Sequence, residues 1–258
     1  MSSSPQPTSN AAPVVRGATA KAILKLTWDY PVYQPETKEV TEGSTARSVQ
    51  RALSREEAMK AIAGNDPRPL LVLRECKVCN GTDDALLKGG VDNEKTFLLA
   101  RWFHCVKLPV DVMEEDHPFH NAFTLEQPEH LFVCSADGSN HDPLESDTSR
   151  VKLWESMKGV IAKEYKGKPD SSVKKIAKII DKMDVIDERY LDLKASHDAI
   201  LEKDGPDSRK LAKFVKEINK CESERLELSQ EIEKATQLEL KRQANAKEIA
   251  DAAKKNEL

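Results

Sequence analysis

The chain has 258 residues, of which 39% are hydrophobic, 33% charged and only 5% aromatic, too polar a mixture for one uniformly packed core. Forty basic residues against forty-four acidic ones leave a formal charge of −4, which gives no electrostatic footprint for nucleic acid or an anionic membrane. No run approaches the roughly eighteen apolar residues of a spanning helix, and the start Met1-Ser-Ser-Ser-Pro-Gln-Pro-Thr8 has no basic region followed by an apolar stretch, so it does not read as a secretory signal.

The first twenty residues, rich in Ser, Pro, Ala and Asn, lack periodicity and are expected to be a disordered arm. Ile23-Leu24-Lys25-Leu26-Thr27-Trp28 is a candidate strand. Ser54-Arg55-Glu56-Glu57 has the capping-box pattern, in which each end residue satisfies the other's amide, and predicts a helix to about Ala63. Gly64-Asn65-Asp66-Pro67 stops it, and Pro69 to Arg74 reads as a short buried strand. Glu75-Cys76-Lys77-Val78-Cys79-Asn80 follows directly, then the helix formers Asp83 to Leu87, stopped by Gly89-Gly90. Two more buried strands are predicted over Phe97–Phe103 and Leu131–Cys134, the second closed by the turn Ser135-Ala136-Asp137-Gly138. Asp147 is placed to cap a helix carrying Val151, Trp154, Met157 and Ile161 on one face.

Five cysteines at irregular spacing do not make a disulfide scaffold, so the reducing cytoplasm is the expected compartment, with the periplasm as the alternative. The informative pair is Cys76 and Cys79. A Cys-x-x-Cys where a buried strand meets a helix puts the first sulfur beside the free amides and positive end of the helix dipole, which favours the thiolate that attacks a disulfide. The second lies one turn on, within reach to resolve the mixed disulfide. Cys76 is therefore the candidate attacking sulfur and Cys79 the resolving one. Two other readings stay open: a zinc half-site completed by His104 and Cys105, and inert cysteines. Adjacent positions on one strand point to opposite faces, which weighs against four convergent ligands. His117 and His120, in an acidic loop with Glu114, Glu115 and Asp116, read as a solvated loop. Cys134 reads as a small buried hydrophobe.

The segment Leu70 to Cys79, the helix after it, the strand at 97–103 and Gln127-Pro128-Glu129-His130-Leu131-Phe132-Val133 resemble the thioredoxin-like superfamily, over roughly residues 45–167. The resemblance implies that Pro128 is the cis-proline preceding the next-to-last strand, facing the cysteine pair and leaving backbone groups free to bind a substrate peptide. Asp137-Gly138 then matches the turn between the last two strands, and 148–165 the closing helix. Glu75 stands where members usually carry an aromatic residue, Lys77-Val78 where they carry Gly-Pro, and Leu70 where many carry a buried acid. Lys77 would favour a Cys76 thiolate and Glu75 oppose it.

Beyond residue 150 the composition changes: 151–258 hold 24 Lys and Arg against 22 Asp and Glu, with four aromatic residues. Ile176, Ile179, Met183, Ile186, Tyr190, Leu193, His197 and Ile200 follow a 4-3 spacing, the seam of a heptad helix. Asp204-Gly205-Pro206-Asp207 breaks it, with Asp207 as the next cap. Leu211, Phe214, Ile218, Cys221, Arg225, Leu228, Ile232 and Ala235 repeat the spacing, with Arg225 the single violation and Cys221 a seam residue without chemistry. Helices joined by so short a turn form an antiparallel hairpin. If the second runs to Ala250 it overhangs the first, and its Ala-rich end then either frays or docks on the globular domain.

The expected class is therefore α/β: a disordered arm at 1–20, a thioredoxin-like three-layer sandwich at 21–168, and an antiparallel coiled-coil hairpin at 169–258. The expected activity is thiol-disulfide exchange on a protein disulfide or dithiol, without a cofactor, with a second copy or another protein completing the helical seam and neither nucleic acid nor membrane as partner. The alternative is a non-enzymatic interaction module whose cysteine pair is redox-inactive or binds zinc.

Overall fold

A computed structural model describes residues 15–33, 52–75, 86–88, 90, 93–123, 129–145 and 148–242. The chain divides into two compact units. One comprises Leu24–Ile179 with Glu227–Leu258, the other Met1–Ile23 with Ile180–Leu226. The class is mixed α/β, and no helix among the described residues is long and apolar enough to cross a membrane.

The larger unit is built on four strands, β1 (Leu70–Arg74), β2 (His104–Leu108), β3 (Leu131–Cys134) and β4 (Asp142–Leu144), in the order β2-β1-β3-β4. β1 runs parallel to β2 with Leu70 opposite His104, and antiparallel to β3 with Leu73 opposite Leu131; β4 is antiparallel to β3. The first four residues of β1 are fully buried, as an uninterrupted Leu-Leu-Val-Leu run in a sheet covered on both faces should be. Alternation divides it: Leu70 and Val72 join Val106, Leu108, Phe132 and Cys134 in a core closed by Ala58, Met59 and Ile62, which leaves Leu71 and Leu73 for the other face.

Ala58, Met59 and Ile62 belong to helix α2 (Arg55–Ala63), which follows a first helix α1 (Ala18–Ile23). The expected capping box is formed: Ser54 Oγ accepts from the Glu57 amide at 3.3 Å and Glu57 Oε2 accepts from the Ser54 amide at 3.0 Å. The turn after β3 is also as read. The Gly138 amide donates to Ser135 O at 2.9 Å, Gly138 has φ +79°, and a Cβ there would stand 2.7 Å from Met59 Cγ.

Four expectations are corrected. Phe97–Phe103 is not a strand: Glu94–Ala100 is helix α3, and the strand is β2 at His104–Leu108. Phe97, Leu98, Leu99 and Ala100 are all buried, so the run has no exposed stripe to reveal the helical period. Nor is Ile23–Trp28 a strand. Ile23 ends α1, and one isolated bridge pairs Asp29 with Val106, its amide donating to Cys105 O and its carbonyl accepting from the Lys107 amide, both at 2.9 Å. Helix α4 (Arg150–Glu164) is capped by Ser149, and Asp147 lies outside the described residues. Its buried face is Leu153, Met157, Val160 and Ile161, while Val151 is exposed.

The fourth correction concerns the C-terminal helices. After α5 (Pro169–Asp204), helix α6 spans Leu211–Thr236 and stops there. Asp207 lies in the turn before it, and Leu211 N donates to Ser208 O at 3.1 Å. Residues 237–242 lie along the larger unit. Trp102 Nε1 donates to Thr236 O, the Lys166 amide to Glu239 O and Lys241 Nζ to Ala162 O, each at 2.8 Å. Leu240, opposite Tyr165 in an isolated bridge, is buried.

In the smaller unit, Ile180–Asp204 and Leu211–Leu226 pair through Asp187 with Arg225 at 2.7 Å and through Arg189 with Glu217, the antiparallel sense of a hairpin. Met183 and Cys221 are buried. Arg225, the polar interruption of the seam, meets the buried Asp187 and lies 4.2 Å over the Tyr190 ring. Residues 15–23, partly assigned to the arm by composition, are tied to the same helix. Arg16 pairs with Asp181 and Asp184, and Thr19 donates to Asp187 from its amide and its hydroxyl.

Candidate functional site

Cys76, Cys79 and Pro128 lie outside the described residues, but the residues on either side are described. β1 carries the chain to Glu75, whose amide donates to Leu108 O at 2.9 Å, and the Arg74 amide donates to His130 O at 2.8 Å. The residue before Cys76 and the residue after Pro128 thus flank the same end of the β1–β3 pairing.

The charges at this strand end are mutually engaged. Glu75 Oε1 is 2.9 Å from Lys107 Nζ, so the carboxylate that precedes Cys76 carries its own counter-ion. Arg74 sends Nε to Glu129 O at 3.3 Å, places Nη2 at 3.2 Å from His130 Nδ1, and lies 5.9 Å over the Phe123 ring. Both basic side chains come from strands, Arg74 from β1 and Lys107 from β2.

Glu129 is the buried acid of this region. Its side chain is 1% exposed, and Oε1 accepts from His141 Nε2 at 2.6 Å. The imidazole stacks on Phe132 with ring centroids 4.5 Å apart. Burying a carboxylate demands such a partner. Composition and spacing do not reveal this pair, because Glu129 and His141 are twelve positions apart and meet only when β3 turns back into β4. Nor do they reveal Lys107, which reaches Glu75 only because β2 lies beside β1.

The remaining cysteines are unsuited to nucleophilic work. Burial pushes the Cys105 thiol up to about 12, and it donates to Ala100 O at 3.9 Å. Burial does the same to Cys134, also to about 12. At neutral pH both are protonated, and it is the thiolate that attacks. Cys221 is buried in the helical hairpin.

The groups invoked for a zinc set are engaged elsewhere. His104 Nε2 lies 3.0 Å from Asp29 Oδ2, and Cys105 is on the opposite side of the strand from the core of Val106 and Leu108. Among the described residues no group of three His, Cys, Asp or Glu side chains is arranged to hold a metal ion. His117 and His120 sit in short 3-10 turns anchored by the buried Phe119, whose amide donates to His117 Nδ1 at 3.1 Å, while Glu114, Glu115 and Asp116 remain exposed. Compared with known proteins, the chain matches no family profile, no curated protein sequence and no solved structure.

Proposed function

We propose that the chain exchanges thiols and disulfides through Cys76 and Cys79 on a thioredoxin-like domain, with Pro128 at the substrate-binding edge. The observation that carries this reading is the hydrogen bond from the Arg74 amide to His130 O at 2.8 Å, which sets the chain leading into the cysteine pair beside the chain leaving Pro128. The element order supports it in part: strand β1, helix α3, strand β2, the β3–β4 hairpin and helix α4 follow one another, with β2 at His104–Leu108 in place of the strand read at 97–103. The buried, protonated state of Cys105 and Cys134 leaves the Cys-x-x-Cys as the pair suited to exchange.

In the reaction, the Cys76 thiolate attacks one sulfur of a protein disulfide and releases the other as a thiolate, which takes a proton. A mixed disulfide results. Cys79, deprotonated in its turn, attacks Cys76 Sγ, so the second substrate sulfur leaves and a Cys76–Cys79 disulfide forms. Two electrons pass to the substrate, and a thiol reductant restores the pair. Lys77 favours the attacking thiolate, and Lys107, paired with Glu75, offsets the carboxylate that opposes it. The exchange reaction suits the expected reducing cytoplasm and equally the periplasm that stands as its alternative.

Insulin reduction with a thiol reductant tests the claim. Cys76→Ser should abolish turnover and Cys79→Ser should trap a mixed disulfide visible by mass; turnover unchanged in Cys76→Ser removes the assignment. The C-terminal helices supply an association surface for a second copy, read as an antiparallel coiled coil that presents Val185, Leu191, Val215 and Leu226 to solvent. Sedimentation should show a dimer, and a monomer at high concentration excludes it.

A further inference from the structure

A cavity of about 540 Å³ opens beside the start of β2, at the opposite end of the strand pair from Glu75. It is framed by the irregular segment Lys25–Asp29, the end of α3, the first residues of β2 and Thr236. Its size falls within the range of small-molecule sites, and its walls combine aromatic surface from Trp28, Phe97 and Phe103 with a few charged groups.

The acids of the wall are already satisfied. Asp66 is held by Arg68 through Nε at 3.0 Å and Nη2 at 2.6 Å. Asp29 accepts from the Tyr30 amide at 2.8 Å on one oxygen and meets His104 Nε2 at 3.0 Å on the other. Arg101 and Lys25 are not matched in the same way. Arg101, half-buried, uses Nε on Thr236 Oγ1 at 3.3 Å, and its two Nη groups meet no acceptor among the described residues. Glu233 acts on it through space without an ion pair, and burial lowers the affinity of this guanidinium for its proton. Lys25 stands at the exposed rim.

A guanidinium fixed at Nε and open at both Nη positions is the fork that carboxylate and phosphate oxygens match in pairs. We propose that this cavity binds an organic oxyanion, a carboxylate or a phosphate monoester carried on a flat apolar body, with Arg101 taking the oxyanion, Lys25 adding charge and the aromatic wall covering the body. The proposal is independent of the cysteine pair.

Titration calorimetry of the full chain with phenyl phosphate, benzoate and inorganic phosphate tests it. Saturable binding of phenyl phosphate or benzoate is expected, and the stronger of the two identifies the oxyanion. Arg101→Gln should weaken it by about tenfold or more, the loss of one bidentate contact. Lys25→Gln, on the exposed rim, should weaken binding about threefold with an unchanged circular dichroism spectrum, so the result does not depend on Arg101→Gln folding well. Absence of saturation by both organic anions at millimolar concentration overturns the proposal, as does wild-type affinity in folded Arg101→Gln. Inorganic phosphate binding as tightly as phenyl phosphate overturns the assignment of the apolar body.

Discussion

At the scale of single residues, burial sorts the cysteines by reactivity. Cys105 and Cys134, both pushed up to about 12, have roughly one thiolate in ten thousand at pH 8. Iodoacetamide at that pH should therefore modify Cys76 and Cys79 first and leave Cys105 and Cys134 unlabelled until the chain unfolds, as peptide mass mapping will show. The same shifts set a pH dependence of stability. A thiol whose folded pKa lies above its unfolded value near 8.5 stabilises the fold fully below that value, and the contribution is lost as pH rises toward 12. The melting temperature should hold between pH 6 and about 8 and fall above 9, with Cys134→Val removing part of the fall. Tyr165, its hydroxyl donating to Trp102 O at 2.8 Å and its ionisation also raised by burial, adds to the same alkaline loss.

At the scale of elements, local chemistry and burial compete. Helix α2 follows its local code: the Ser54–Glu57 box opens it and Gly64 closes it with φ +57°. Ser54→Ala should cost about 1 kcal/mol in a urea titration. Its mate Glu57, whose carboxyl is held below its ordinary range chiefly by the Ser54 side chain, supports the cap above that range and loses it as pH falls through the lowered value. Helix α3 does not announce itself in this way. Its Phe-Leu-Leu-Ala is buried throughout, so a 2-residue and a 3.6-residue period fit the letters equally. β2 is disguised for the opposite reason, because His104 and Lys107 interrupt its apolar residues. The C-terminal helices were legible because their seams repeat over many turns. Arg225 was legible only as an exception, and its meaning came from Asp187 on the other helix at 2.7 Å.

At the scale of the molecule, the boundary suggested by composition near residue 150 separates two kinds of sequence but not two compact units. Residues 15–23 belong with the helical hairpin, and residues 227–242 with the sheet. Leu240 is the anchor of that return, 5% exposed beside Tyr165. Leu240→Ala should destabilise the protein by roughly 2–3 kcal/mol in thermal or urea unfolding; an unchanged midpoint would show that the segment contributes nothing to the core. What the sequence by itself determined is local: the capped helix, the buried strands at 70 and 131, the glycine turn at 138 and the two long C-terminal helices. Each depends on residues within a few positions of one another, where backbone chemistry and periodicity act directly. Only the tertiary structure decided that Glu129 meets His141, that Lys107 pairs with Glu75, that Arg101 lines a cavity and that residues 237–242 run beside Tyr165 and Lys166. Those depend on which strands become neighbours, a long-range choice made by the packing of the whole core.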